Sequence, residues 1–126
     1  MSEDYYRSVL DSLSGGFMGI DAQGRVAYGN ATAGRILHIP MGAILGKPYP
    51  RALEPYPELC DIVKEALETG RIVRRGEVSV MHCDARMTIG YSTLQVRGPG
   101  GENLGVGIIF QDLSMVLARK AAKAAE

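Results

Sequence analysis

No tryptophan occurs in the 126-residue chain, and it holds only two histidines and two cysteines. Cys60 and Cys83 fit no metal or redox spacing, so two reduced thiols of a cytoplasmic protein are the simplest reading. An excess of one charge sign is missing as well. Lys plus Arg and Asp plus Glu are both 14, giving a formal net charge of zero. Phosphate-backbone binding calls for a basic excess, so no nucleic-acid partner is expected. Long apolar runs are lacking too: the longest, Leu104 to Phe110, contains two glycines and falls far short of the roughly 20 residues of a membrane span. The acidic, polar N-terminal residues carry no leader pattern, which fits a cytoplasmic protein without membrane contact. With no nucleophile elbow, glycine-rich phosphate loop or carboxylate cluster, the sequence predicts no catalytic residue and no metal site.

What is present is ordinary for a globular protein, with 46% hydrophobic residues, 22% charged residues and 16 glycines. The length allows one domain with a real core and many tight turns. Ser2, Glu3 and Asp4 open a helix whose acidic first turn suits the helix dipole. Tyr6, Val9, Leu10 and Leu13 fall on one face, and Gly15-Gly16 stops it. Phe17 to Asp21 and Arg25 to Gly29 read as a hairpin around Ala22-Gln23-Gly24. Asn30 is placed to cap a helix from Ala31 to Leu37, which Pro40 ends near His38. Met41 to Leu45 predict one further turn, and the prolines from Pro48 to Pro57 predict short irregular turns. Pro57 then suits the first position of a helix running to about Thr69, with Leu59, Ile62, Val63, Ala66 and Leu67 as its buried stripe.

Beyond Gly70 the periodicity is that of antiparallel sheet. Val78, Val80 and His82 alternate with Glu77, Ser79 and Met81, and Asp84-Ala85 predicts a turn. Met87, Ile89 and Tyr91 are apolar at odd positions, Leu94 and Val96 at even ones, which predicts a β-bulge near Ser92-Thr93. Pro99-Gly100 fits the centre of a type II turn. The final strand alternates through Leu104, Val106, Ile108 and Phe110 and hands directly to strong helix formers after Asp112. Five strands with helices gathered between the second and third predict an α+β domain, helices covering one face of a single antiparallel sheet.

In this order and spacing, Gly16-Phe17-Met18-Gly19-Ile20-Asp21-Ala22-Gln23-Gly24-Arg25-Val26 with Asn30, then Leu45-Gly46-Lys47-Pro48, then Leu94 to Glu102 leading into Gly105 to Ser114, resemble a PAS domain. The likeness is to the cytosolic modules placed ahead of bacterial histidine kinases and related regulators. Asp112-Leu113-Ser114 is similar to the family's Asp-x-Thr/Ser motif at the junction of last strand and output helix. The resemblance implies an N-terminal amphipathic helix (1–16), a PAS core (17–112) and an exit helix (113–126). It also implies a homodimer through the terminal helices and a covalently linked effector absent from this chain. Leu113, Val116 or Leu117, Lys120 or Ala121, and Ala124 have the spacing of a two-helix seam. Gly19, Gly105 and Gly107 would leave the outer face of the sheet low, where the N-terminal helix of the same or a partner chain could lie.

A cavity between sheet and helices is part of the same expectation, with Val63, Leu67, Val78, Val80, Ile89, Tyr91, Ile108 and Phe110 facing it. Haem is disfavoured because the helix from Pro57 to Thr69 has no histidine. Cys60, the remaining iron ligand there, reads more simply as packing. His82 reads as a core or edge histidine, and His38 as a residue suited to a helix C-terminus. Photochemical flavin is disfavoured because its Gly-x-Asn-Cys-Arg-Phe-Leu-Gln motif is missing. A small organic ligand stays open. Asp112 and Ser114 could cap the exit helix or transmit a signal, the carboxylate pairing with Arg86 or Arg97. The function so implied is sensing or dimerisation that regulates an effector, foremost a sensor histidine kinase. A ligand-free interaction module and the PAS domain of a transcriptional regulator are the alternatives.

Overall fold

The computed structural model describes residues 15–82 and 84–113. The predicted N-terminal helix, except Gly15 and Gly16, and the exit helix with Ser114, except Leu113, lie outside the described residues, as does Cys83. The elements are β1 (Gly16–Asp21), β2 (Val26–Gly29), α1 (Ala31–Leu37), a single 3-10 turn (Met41–Ala43), α2 (Tyr49–Ala52), α3 (Pro57–Thr69), β3 (Gly76–His82), β4 (Ala85–Arg97) and β5 (Asn103–Asp112). They form the five-stranded antiparallel sheet that the sequence predicts, in the order β2-β1-β5-β4-β3. The last strand thus lies in the middle, between β1 and β4.

Local chemistry explains most boundaries. In the β1–β2 turn, Asp21 Oδ1 accepts the N–H groups of Gln23 and Arg25 at 3.0 and 2.9 Å, and Gly24 takes a left-handed φ of 82°. α3 starts on Pro57, whose missing N–H costs nothing at a helix's first turn, and stops at Gly70 in the left-handed conformation. α1 stops at His38, with φ 57°. Irregular turns are expected around the prolines, yet Tyr49–Ala52 closes one turn of helix. Pro48 and Pro50 are tolerated because they fall at its start.

The helices cover one face, α1 against β1 and β5, α3 against β5 and β3. Beneath them Met18, Ile20, Val26, Val80, Met87, Ile89, Val106, Ile108 and Phe110 point inward from the strands. They meet Ala33, Leu37, Leu59, Val63 and Ala66 from α1 and α3 in one contiguous core.

Two turn-level expectations need correction. The predicted bulge at Ser92-Thr93 is absent: β4 pairs with β5 without a slip from Ile89 to Val96, and the shift falls between Val96 and Arg97. Thr93 explains this, because it keeps the odd positions inward as a buried polar residue, 5% exposed. Its N–H donates to the Val73 carbonyl and its hydroxyl accepts from the Val73 N–H, both at 2.8 Å. Leu94 accordingly lies on the outer face, against Gly107. In the β4–β5 turn Pro99 and Gly100 do occupy the centre, with the Gly101 N–H donating to the Gly98 carbonyl at 2.9 Å. The left-handed residue is Gly101 (φ 83°), not Gly100, so the turn is not type II.

Thr93→Val should therefore lower stability by about 1–3 kcal/mol, the range for orphaning a part-buried donor, while Thr93→Ser retains most of it. Denaturant midpoints at constant m-value check this.

Candidate functional site

The apolar residues that the sequence assigns to a cavity are mostly packed side to side. Val63, Val80, Ile89, Ile108 and Phe110 are 4% exposed or less, and Leu67, Val78 and Tyr91 pack partly buried against the same cluster. Phe110 fills the space in front of α1. A Cβ on Gly16 would stand 2.8 Å from its ring and 2.9 Å from the Ala33 Cα. On this side of the sheet a recess of about 20 Å³ opens between Ile62, Ala66, Tyr91 and Thr93, room for about one water molecule. The Arg71–Glu65 ion pair, 3.5 Å long and well exposed, lies at its rim.

A larger hollow, about 460 Å³, opens on the outer face of the sheet, where Gly90, Ser92, Ile109 and Gln111 lie between Arg74, Arg75 and Glu77 on one side and Leu113 on the other. Its floor is low because Gly90 has no side chain, and Leu113 uses that absence. A Cβ on Gly90 would stand 2.9 Å from Leu113 Cδ1, and the Leu113 N–H donates to the Thr88 carbonyl at 2.8 Å. The first residue after β5 is thereby fastened to its own sheet by a backbone hydrogen bond and an apolar contact. Leu113 is read from sequence as part of a two-helix seam, and here it packs on the sheet. A glycine inside a regular strand is the signal that foretells such a close approach.

Asp112 pairs with Ile89 and shares its inward phase. Arg97 is ruled out as its partner by register: it pairs with Asn103 at the far end of the same ladder, about 26 Å away at the strand rise. Arg86 stands opposite Met81 in the outward phase, on the other face from Asp112. Ser114 lies outside the described residues.

Asn30, 1% exposed, does more than start a helix. Its Oδ1 accepts the Ala33 N–H and the Phe17 N–H, both at 2.9 Å, and its Nδ2 donates to the Gly15 carbonyl at 3.2 Å. One side chain thus fixes the beginning of β1 and the beginning of α1 together. Tyr56, which the sequence reading passes over, is 1% exposed, and its hydroxyl donates to the Leu37 carbonyl at the end of α1. Of the outer-face glycines, Gly105 has a different purpose from the one expected. At φ 141° its Cβ would sit 2.0 Å from the Ile20 carbonyl oxygen, so it permits backbone contact.

Cys60 donates its thiol to the Leu53 carbonyl at 3.4 Å. Burial, with Asp61 adding to it, pushes the thiol up from its ordinary pKa, which works against a thiolate ligand. His38 caps α1 through its backbone, and the His82 side chain lies outside the described residues. Among the described residues no group of three or more His, Cys, Asp or Glu could hold a metal ion, and no helix is long and apolar enough to cross a membrane.

A single antiparallel sheet, helical on one face and grooved on the other, with its last strand at the centre, defines an α+β module. The chain belongs to the PAS family, whose profile, described as PAS fold, matches residues 4–113. Members of this family are generally non-catalytic sensory modules. Among solved structures, the PAS domain of Bordetella pertussis BvgS is similar over 97% of this chain and 95% of its own, with a TM-score of 0.72 and 21% identity. The PAS domain of a Colwellia psychrerythraea protein is similar over 89% and 97%, with a TM-score of 0.66 and 16% identity. The Vibrio cholerae VqmA dimer, a LuxR-type receptor with a target DNA, is similar over 92% of this chain and 53% of its own, with a TM-score of 0.70 and 17% identity. At these identities the likeness establishes the fold. Nothing among curated proteins matches the chain significantly.

In a Cys83→Ser background, the pH at which Cys60 becomes half-reactive toward iodoacetamide should lie above that of a free cysteine measured alongside, because the raised pKa delays thiolate formation. A midpoint at or below that of free cysteine would contradict the burial described.

Proposed function

We propose that this domain regulates a covalently attached effector of a bacterial signalling protein, passing a change in its sheet to the residues that follow β5. The observation that carries this reading is the fastening of Leu113 to Thr88 and Gly90. It joins the exit from the domain to β4 by contacts weak enough to exchange. One hydrogen bond contributes about 0.5–1.5 kcal/mol net, so a modest differential contact shifts the balance between fastened and released states. Asp112 and Ser114 serve the transmission, Asp112 from the inward side of the same strand end. The domain works in the cytoplasm as a homodimer joined through its terminal segments. A sensor histidine kinase is the effector that the Asp112-Leu113-Ser114 resemblance favours, and the likeness to VqmA supports a transcriptional regulator as the alternative.

A second reading has its own observation. The residues expected around a ligand are packed into a filled core, which favours a stimulus delivered by a partner at the surface over a molecule held inside. Native mass spectrometry of protein purified from cells separates the two: the bare polypeptide mass supports the interaction module, and a stoichiometric small-molecule adduct supports internal ligand sensing.

In the full-length parent, Gly90→Leu should displace Leu113 and change effector output. Asp112→Ala should also change it, while altering stability by no more than the roughly 0.5–2 kcal/mol of a lost cap. Output measured with each variant checks the proposal, and unchanged output from both removes it.

A further inference from the structure

The two edges of the sheet are treated differently. On the β2 side the chain covers its own edge: the Val26 N–H donates to the Lys47 carbonyl at 2.9 Å, the Gly46 N–H to the Val26 carbonyl at 2.8 Å, and the Tyr49 N–H to the Gly24 carbonyl at 2.9 Å. β3 lies at the other edge and, among the described residues, pairs with β4 alone. It runs for seven residues without a slip in register, and it holds no proline, lysine or arginine. Bulges, prolines and basic side chains are the devices that ordinarily keep an edge strand from pairing with another chain. Every second residue of β3 therefore offers its N–H and carbonyl away from the sheet.

We propose that this edge receives a second copy of the chain, the two β3 strands pairing antiparallel about Ser79 so that the two five-stranded sheets become one. Ser79 is the midpoint of Gly76–His82. A two-fold axis there brings the whole of both strands into the ladder, and any other centre leaves strand ends unpaired. Charge selects the direction. Arg74 and Arg75 precede the strand and Asp84 follows it, all exposed. Antiparallel pairing about Ser79 sets Arg74 of each copy opposite Asp84 of the other, whereas parallel pairing sets arginine beside arginine and aspartate beside aspartate. On the inner face Val78, only partly buried, stands opposite Val80 of the other copy, a favourable β-branched pair. On the outer face Glu77 stands opposite Met81, an exposed apolar side chain, and Ser79 opposite its own counterpart, so no like charges face each other. Ser79 is also the register partner of Thr88, whose carbonyl holds Leu113, so the added copy bears on the strand that fastens the exit. This contact is separate from one through the terminal segments and forms with or without it.

Oxidative cross-linking of the whole 126-residue chain tests it, in a Cys60→Ser, Cys83→Ser background. Residues directly opposite in an antiparallel pair have Cα atoms about 4.5–5.5 Å apart, within disulfide reach. Ser79→Cys should therefore form a disulfide-linked dimer about tenfold faster than Glu77→Cys or Met81→Cys alone, whose counterparts lie about 14 Å apart along the strands. Glu77→Cys mixed with Met81→Cys should give the mixed dimer as fast as Ser79→Cys gives its own. Because Ser79 is exposed, a charge there leaves the fold intact and sets like charges face to face across the axis. Ser79→Lys and Ser79→Glu should each lower the molar mass measured by light scattering at least twofold, and an equal mixture of the two should restore it. Neither variant touches the terminal segments, so the fall in mass reads the edge contact alone. Equal oxidation rates for the three single-cysteine proteins would overturn the proposal, as would an unchanged mass in both charged variants.

Discussion

β5 is hydrogen-bonded along both edges, to β1 from Gly16 to Asp21 and to β4 from Ile89 to Arg97, and the rest of the domain depends on that double pairing. A strand in this position cannot shift without breaking two ladders. Its inward residues Val106, Ile108 and Phe110 are also the centre of the core. The same strand is the last regular element before Leu113, so whatever follows it is tied to the most constrained part of the sheet. Two close approaches make the pairing sterically feasible: Gly105 lets the Ile20 carbonyl come near, and Gly16 lets the Phe110 ring lie against α1.

Around that strand, single polar side chains act as fasteners. Asn30 binds the start of β1 to the start of α1, Tyr56 closes the end of α1, and Thr93 holds the chain between α3 and β3 to β4. Each sits in the interior with its hydrogen bonds made, which keeps the cost of its burial low. The helix face is consequently closed and the outer face open. A change imposed on the outer face has Gly90 and Leu113 directly in its path, whereas one imposed on the helix face must first disturb close packing.

Much of this was legible in the residues. Period-two alternation located the strands, and Pro57 and Gly70 bounded α3 because each has a conformation that a helix end uses. The apolar cluster was legible too, but not whether it encloses space, since the same side chains line a cavity or fill it. Thr93 misled the reading because a polar residue at an inward position looks like a change of phase. It keeps its place only through Val73, twenty residues earlier. Of the two partners suggested for Asp112, Arg97 failed for a similar reason: it is near in chemistry, but register sends it to the opposite end of the ladder. The sequence placed the low outer face at Gly19, Gly105 and Gly107, whereas the groove is floored by Gly90 and flanked by Arg74 and Arg75.

Transmission from sheet to exit requires that Leu113 be fastened to β4 in the resting domain and able to leave it while the β4–β5 ladder stays closed. Native-state hydrogen exchange resolved at single amides measures this directly. If transmission runs through Leu113, its amide exchanges more slowly than an unstructured amide, because the Thr88 hydrogen bond closes it, yet faster than the Ile109 amide deeper in the strand, which opens only with the ladder. Leu113 exchanging near the rate of an unstructured amide while Ile109 stays protected would contradict it.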